Sequence, residues 1–300
     1  MTNSPLRYRF LIVVAAALFS TGGAAIKAAS LGGWQIASFR SGIAALFLLA
    51  VIPEARRSWR WRMLPVAVCY AATLVSFVLA NRLTTAANAI FLQSAAPLYV
   101  LLLGPVLLHE PIRGRDVGFV AAVDCGIACF FVGSPNAVRT APDPWRGNLF
   151  AIAAGLAYAF ALVGLRWLAR GDRASAAGGA AIATVTLGNL IACAAALPMA
   201  LPATGLSAKD VAVLLYLGAI QIGVAYVCLA RGIRHVPAVE TTTLLMVEPA
   251  LNPVWTWLVH GEKPGTWAVA GGALIVCATL WNTWRASPRP PSSARSCEAG

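Results

Sequence analysis

Few side chains in this sequence could do chemistry, and the informative ones sit inside apolar runs. Glu248 lies about nine residues into a run at 239–259, and Asn252 and Trp255 follow it at i+4 and i+7. That spacing puts all three on one helix face. Pro249 and Pro253 interrupt the backbone ladder of the same helix and free carbonyls that can meet a ligand or an ion. A carboxylate deep in hydrocarbon is costly unless it faces a cavity or a partner. Glu248 is therefore read as a group that binds a cation or an amine, or carries a proton; packing against a donor across the bundle is the competing account. Asp124, midway along a run at 116–134, is a second acid, expected to be buried and to act between helices. Arg40, some six residues into a run at 34–53, is placed to snorkel to the interface; serving as counter-ion to an anionic substrate is its alternative. Glu240 stands near the start of its run and is expected to pair with Arg231 or Arg234 as a gate. Gln93 and Tyr99, Tyr158, Gln221, and Tyr70 in line with Thr73 and Phe77 complete the polar set. Glu248, Asn252, Trp255, Gln93, Tyr99, Tyr158, Gln221 and Tyr70 are thus the candidate substrate contacts, and Arg40, Glu240 and Asp124 the candidate gating or ion-pair residues.

Enzyme motifs are missing. There is no Walker loop, no serine nucleophile elbow and no HExxH. His109, His235 and His260 are scattered near run ends, and the seven cysteines have no histidine company that would hold zinc. Six of the cysteines lie within apolar runs and are read as buried thiols. No catalytic residue, metal or cofactor is expected. An enzyme acting on lipid is the alternative function, but it needs a cluster of histidines or acids at one interface. A receptor would need a signalling domain that the short loops cannot supply.

The elements that position these residues follow from composition. Of 300 residues, 59% are hydrophobic and 11% charged, with a mean hydropathy of +0.73. An ordinary soluble domain has about 25% charged residues, so the balance points to a polytopic membrane protein. Apolar runs fall at about 10–29, 34–53, 63–80, 88–107, 116–134, 147–168, 179–201, 210–230, 239–259 and 265–284, each near the length of a span. The net charge of +12 would suggest nucleic acid in a soluble protein, but here the basic residues cluster between runs. With the N-terminus inside, 16 of the 23 fall on the cytoplasmic side, which favours both termini cytoplasmic in a bacterial inner membrane. Trp34, Trp59, Trp61, Trp145, Trp167, Trp267, Trp281 and Trp284 stand near run ends as an aromatic belt would. The Pro-, Ser- and Arg-rich tail at 286–300 reads as disordered.

The sequence also repeats. Pro97 and Glu110 are spaced as Pro249 and Glu262 are, 152 residues further on, and at the same offset Arg82 meets Arg234 and Asn88 meets Glu240. The repeats cover 8–134 and 147–285. Five spans is an odd number, so the second copy must enter the membrane from the opposite side, giving ten helices as two inverted five-helix repeats. The polar face of Glu248, Asn252 and Trp255 has Ala96, Val100 and Leu103 as its counterparts, so it exists in one half alone. Glu110 and Glu262, each near a proline, are expected to cap the helix that follows them.

Across residues 8 to 285 the pattern resembles the EamA-type branch of the drug/metabolite transporter superfamily. The residues that carry the resemblance are Phe39-Arg40, Ala96-Pro97 with His109-Glu110, Val247-Glu248-Pro249 with Gly261-Glu262, and the glycines of the closing helices, Gly118 to Gly126 and Gly271-Gly272. It implies ten transmembrane helices, a central cavity between the halves and transport of small metabolites, often export. Amino acids or related compounds, moved by alternating access with a possible coupling proton, are the expected cargo. The sequence departs from the commonest pattern at Gly22-Gly23, where a Trp-Gly pair is frequent in the first helix.

Overall fold

A computed structural model of the chain describes residues 5–103, 105, 114, 116–132, 139–169, 174–233, 235–236 and 238–286. Glu110, Pro111, His109, Arg113, Arg115, Arg170, Arg173, Arg234 and the expected tail beyond Ala286 lie outside them. Among the described residues the regular elements are helices. Seven are long and apolar enough to cross a membrane: Leu6–Ala28, Gly33–Val51, Trp61–Leu83, Ala86–Leu103, Pro144–Leu168, Gly179–Ala200 and Ala208–Gly232. Thr266–Asn282 is apolar but shorter. The protein is a helical membrane protein.

Several of the spans are broken, and the residues at the breaks say why. The first divides into α1 (Pro5–Ser20) and α2 (Gly22–Ala28). Ser20 Oγ and Thr21 Oγ1 donate to the carbonyls of Ala17 and Leu18, competing for helix acceptors just before two glycines. After α3 (Gly33–Val51), the short α4 (Pro53–Arg57) and α5 (Leu64–Leu83), the next span divides into α6 (Ala86–Gln93) and α7 (Ala96–Leu103). Pro97 has no N–H to give the carbonyl of Gln93, and the ladder fails there. α8 (Asp116–Val132), α9 (Pro144–Ala169), α10 (Ala174–Ala200) and α11 (Ala208–Leu215) follow. α11 runs into a π-helical stretch, Tyr216–Val224, and then α12 (Ala225–Gly232). The run at 239–259 divides at Met246 into α13 (Ala238–Leu245) and α14 (Val247–His260), where Pro249 deprives Leu245 as Pro97 deprives Gln93. α15 (Thr266–Ala286) closes the chain.

Packing joins helices distant in sequence. α5 lies on α9 and α10, α3 on α10 and the π stretch, α8 on α15, α1 on α12 and α14, and α6 on α9 and α14. Alanine dominates the tightest seams: Ala44, Ala45, Ala67, Ala80, Ala151, Ala154 and Ala225 are fully buried. Small residues let backbones approach where lipid offers no hydrophobic drive of its own. One close approach is between α8 and α15, where a Cβ on Gly271 would stand 2.6 Å from the carbonyl oxygen of Gly126. The outward faces are apolar, and Trp59, Trp61, Trp145, Trp167, Trp267, Trp281 and Trp284 are exposed near helix ends. The Arg62 guanidinium sits 4.8 Å over the Trp167 ring. The cysteines correct the expectation of buried thiols: Cys125 and Cys277 are exposed, and Cys69, Cys129, Cys193 and Cys228 only half-buried.

Candidate functional site

Five polar side chains from five helices meet in the middle of the bundle. Arg40 on α3 is 2% exposed. It does not snorkel: Nη2 donates to the carbonyl of Leu74 at 3.2 Å, and Nε has no partner among the described residues. No carboxylate there lies within ion-pair distance of it. Tyr70 on α5 and Tyr226 on α12 share a hydrogen bond of 2.5 Å between their hydroxyls, with rings edge to face at 6.2 Å. Both rings lie close enough to Arg40 to feel its charge. Tyr158 on α9 joins them, and Glu248 on α14 acts electrostatically on all three tyrosines. Glu248 is half-buried, with no hydrogen bond or ion pair among the described residues. An acid and a guanidinium, neither neutralised by the other, thus share one tyrosine-lined interior. Phe19 closes one side, edge to face with Tyr226 at 5.2 Å.

The other members of the Glu248 face turn toward the break in the first span. Trp255 Nε1 donates to Ser20 Oγ at 2.9 Å. Asn252 is fully buried against Gly23, and Gln221, on the π stretch, donates from Nε2 to the carbonyl of Phe19 at 3.2 Å. Thr21 Oγ1 meets the Tyr216 hydroxyl at 2.8 Å. Gln93 is half-buried at the end of α6, with Oε1 unpartnered among the described residues. Tyr99, half-buried on α7, belongs to the main core and feels the charge of Asp124. Asp124 itself is a correction, because it lies exposed on the outward face of α8 instead of within the bundle. Glu240 is paired with Arg9: Arg9 Nε reaches Oε1 at 2.5 Å and Nη2 donates to Oε2 at 3.2 Å, while the expected partner Arg234 lies outside the described residues.

The opposite end of the first span holds a polar assembly that sequence reasoning missed. Lys27 Nζ lies 3.0 Å from Glu262 Oε2, with side chains 4% and 5% exposed. Lys27 also donates to the carbonyls of Thr84, at 2.9 Å, and Thr140. Glu262 Oε1 accepts from the Ala86 N–H at 2.6 Å, so this acid caps α6 and not the helix after it. Thr84 Oγ1 and Asn88 Nδ2 both donate to Asn148 Oδ1, at 2.8 and 3.1 Å. His260 Nε2 meets the carbonyl of Ala24 at 2.8 Å. Nearby, Asp210 accepts from the N–H and hydroxyl of Ser30, both at 2.7 Å, and caps α11 through Ser207. A charge inside the first apolar run was the one sequence signal for Lys27; its partner is 235 residues away and has no local signature. An open groove of about 380 Å³ also exists, lined by Phe39, Ile43, Leu46, Leu214 and Leu215. It is apolar and apart from these polar groups, as a lipid-facing crevice would be.

The EamA-like transporter family matches residues 6–132 and, a second time, residues 145–284. The chain belongs to the EamA-like transporter family. It is similar to an uncharacterised transporter of Clostridium kluyveri, 30% identical over 79 residues, a stretch that is 26% of this chain and 25% of that protein. The match thus spans about a quarter of the relative's length. A solved crystal structure superposes with a TM-score of 0.59 over 94% of this chain and 99% of that one, at 19% identity, which speaks to the fold alone. Members of the family are membrane transporters of small molecules, and the polar interior described above belongs to such a transporter.

Proposed function

We propose that this EamA-like protein is a secondary transporter exporting small organic metabolites, amino acids first among them, across a bacterial inner membrane by alternating access. It does so as a carrier and not an enzyme, with both termini in the cytoplasm. The observation that carries this reading is the interior shared by Arg40 and Glu248. A zwitterion offers a carboxylate to Arg40 and an ammonium group to Glu248, while Tyr70, Tyr158 and Tyr226 supply hydroxyls and ring faces. Glu248 can hold a proton or an ammonium group but not both, which is the competition a proton-exchanging exporter needs.

Ten spans in two inverted repeats, 8–134 and 147–285, are part of the same proposal. Two successive family matches support it, and so does the packing. Number the spans one to ten and let a two-fold carry each into the span five places on. Contact of the third with the sixth (α5 on α9) then requires contact of the first with the eighth (α1 on α12). Contact of the fourth with the sixth (α6 on α9) requires the first with the ninth (α1 on α14). The pairs two–seven, five–ten and four–nine map onto themselves, and all of these contacts exist. Rocking one half against the other about the central cluster gives alternating access.

The test is transport in proteoliposomes with and without a pH gradient. Glu248→Gln keeps the shape and loses the titrating group, so proton-driven export should vanish while expression holds. Failure of the wild-type protein to move any member of a metabolite panel, with folding verified, would sink the reading.

A further inference from the structure

We infer that Asn81, Gln221 and Asn252 form a seat for a small monovalent cation, Na⁺, at the Gly22-Gly23 break of the first span. Asn81 and Asn252 are fully buried and Gln221 is 5% exposed. Asn81 Oδ1, Gln221 Oε1 and both polar atoms of the Asn252 carboxamide have no hydrogen-bond partner among the described residues. Orphaned acceptors in a membrane interior are costly, and here three come together. A Cβ on Gly23 would stand 2.7 Å from Asn252 Oδ1 and 3.0 Å from Asn81 Oδ1, and one on Gly22 would stand 2.9 Å from Gln221 Nε2. The two glycines therefore lie directly under all three carboxamides, which reach them from α5, the π stretch and α14.

The orientation of two of these groups is held from behind. Asn81 Nδ2 donates to the carbonyl of Phe77 at 2.9 Å, and Gln221 Nε2 to the carbonyl of Phe19 at 3.2 Å. With its nitrogen engaged, Asn81 holds its oxygen toward Gly23, as ligand oxygens are fixed by supporting hydrogen bonds, while Gln221 stands with Nε2 nearest Gly22 and Oε1 3.9 Å from the Cβ position there. Asn252 has no such tether and can present its oxygen as well. Three neutral oxygens make a hard donor set, which suits an alkali ion; a divalent ion would call for carboxylates. Close packing over the glycines favours a small ion. The surrounding charge agrees: Lys27, one turn outward on α2, is neutralised by Glu262, and Glu248 lies one turn before Asn252 on the same face. The end of α1 adds the negative pole of its dipole at the break.

The test uses the full-length protein, purified in detergent without substrate. Thermal unfolding is followed as NaCl replaces choline chloride at constant ionic strength, with KCl as a second series. Binding to the folded state predicts a saturable rise of about 2–4 °C in Na⁺, smaller in K⁺ and absent in choline. Asn81→Ala and Asn252→Ala should each remove the Na⁺-specific part. Equal melting temperatures in the three salts would mean that water satisfies these oxygens, and would overturn the inference even if neither variant folds. A full Na⁺ shift surviving in both variants would overturn it too. No substrate or pH gradient enters this measurement, so its failure leaves the transport reading standing, and the reverse also holds.

Discussion

Removing either partner of the Lys27–Glu262 pair should unlatch one end of the transporter. The pair joins the end of the first span to the end of α14, and both side chains are about 5% exposed or less. Lys27→Met leaves a carboxylate buried with only the Ala86 N–H as donor. Glu262→Leu leaves an ammonium group facing the carbonyls of Thr84 and Thr140, and orphans that same N–H. Stranding one member of a buried pair costs about 3–5 kcal/mol. The double variant removes both charges and strands only neutral backbone groups, at about 1–3 kcal/mol. The singles should therefore sum to at least about 3 kcal/mol more than the double. The assay is labelling of Ala24→Cys, otherwise 6% exposed beneath the pair, by a membrane-impermeant thiol reagent in a background without native cysteines. About 3 kcal/mol corresponds to roughly a hundredfold rise in the open population, and in labelling rate, for either single variant. By contrast Arg9–Glu240 at the other end is 47% and 32% exposed, and its loss should cost only about 0.2–1 kcal/mol. Labelling unchanged in both single variants, or additive effects in the double, would refute the latch.

Other outcomes follow from the same packing. Gly126→Ala or Gly271→Ala sets a methyl against the facing helix, 2.7 Å from Ile275 Cγ1 or 2.6 Å from the Gly126 carbonyl oxygen, and should cost about 1–3 kcal/mol in detergent unfolding. Tyr226→Phe removes the 2.5 Å hydroxyl contact to Tyr70 at about 0.5–1.5 kcal/mol of stability, and should weaken substrate binding more than it slows turnover. Asp210→Ala breaks the bonds that tie Ser30 and Ser207 to α11 and should lower stability by about 1–3 kcal/mol, read as a drop in melting temperature; no change would mean that the cap carries nothing.

Membrane residence and helical class were legible because they depend on sums over long runs. The breaks were legible at Pro97 and Pro249, since a missing N–H has a local consequence. Partners were not. Glu240 meets Arg9 instead of Arg231 because α1 packs beside α13, a fact of tertiary packing that no window of sequence contains. Glu262 caps α6 and binds Lys27 for the same reason. Asp124 was misplaced because a helix apolar on every side carries too little periodicity to tell its inward face from its outward one. Arg40 misled differently: its position along the span suggested snorkelling, but its direction, set by the α3–α5 seam, points it inward.

The departure at Gly22-Gly23 gains a physical sense from these contacts. This chain has two residues without side chains there. Trp255 reaches in from α14 to Ser20 beside them, and the volume over Gly23 is filled by Asn81 and Asn252. The space beside the two glycines is thus filled from both halves, by Asn81 on α5 and by Asn252 and Trp255 on α14. The break that loosens the first span also lies between the tyrosine cluster and the Lys27–Glu262 end, and under the proposed site a ligand at Glu248 would pull on α14, the helix whose far end the buried ion pair holds. Coupling between the proposed site and the latch would then need no relay beyond α14.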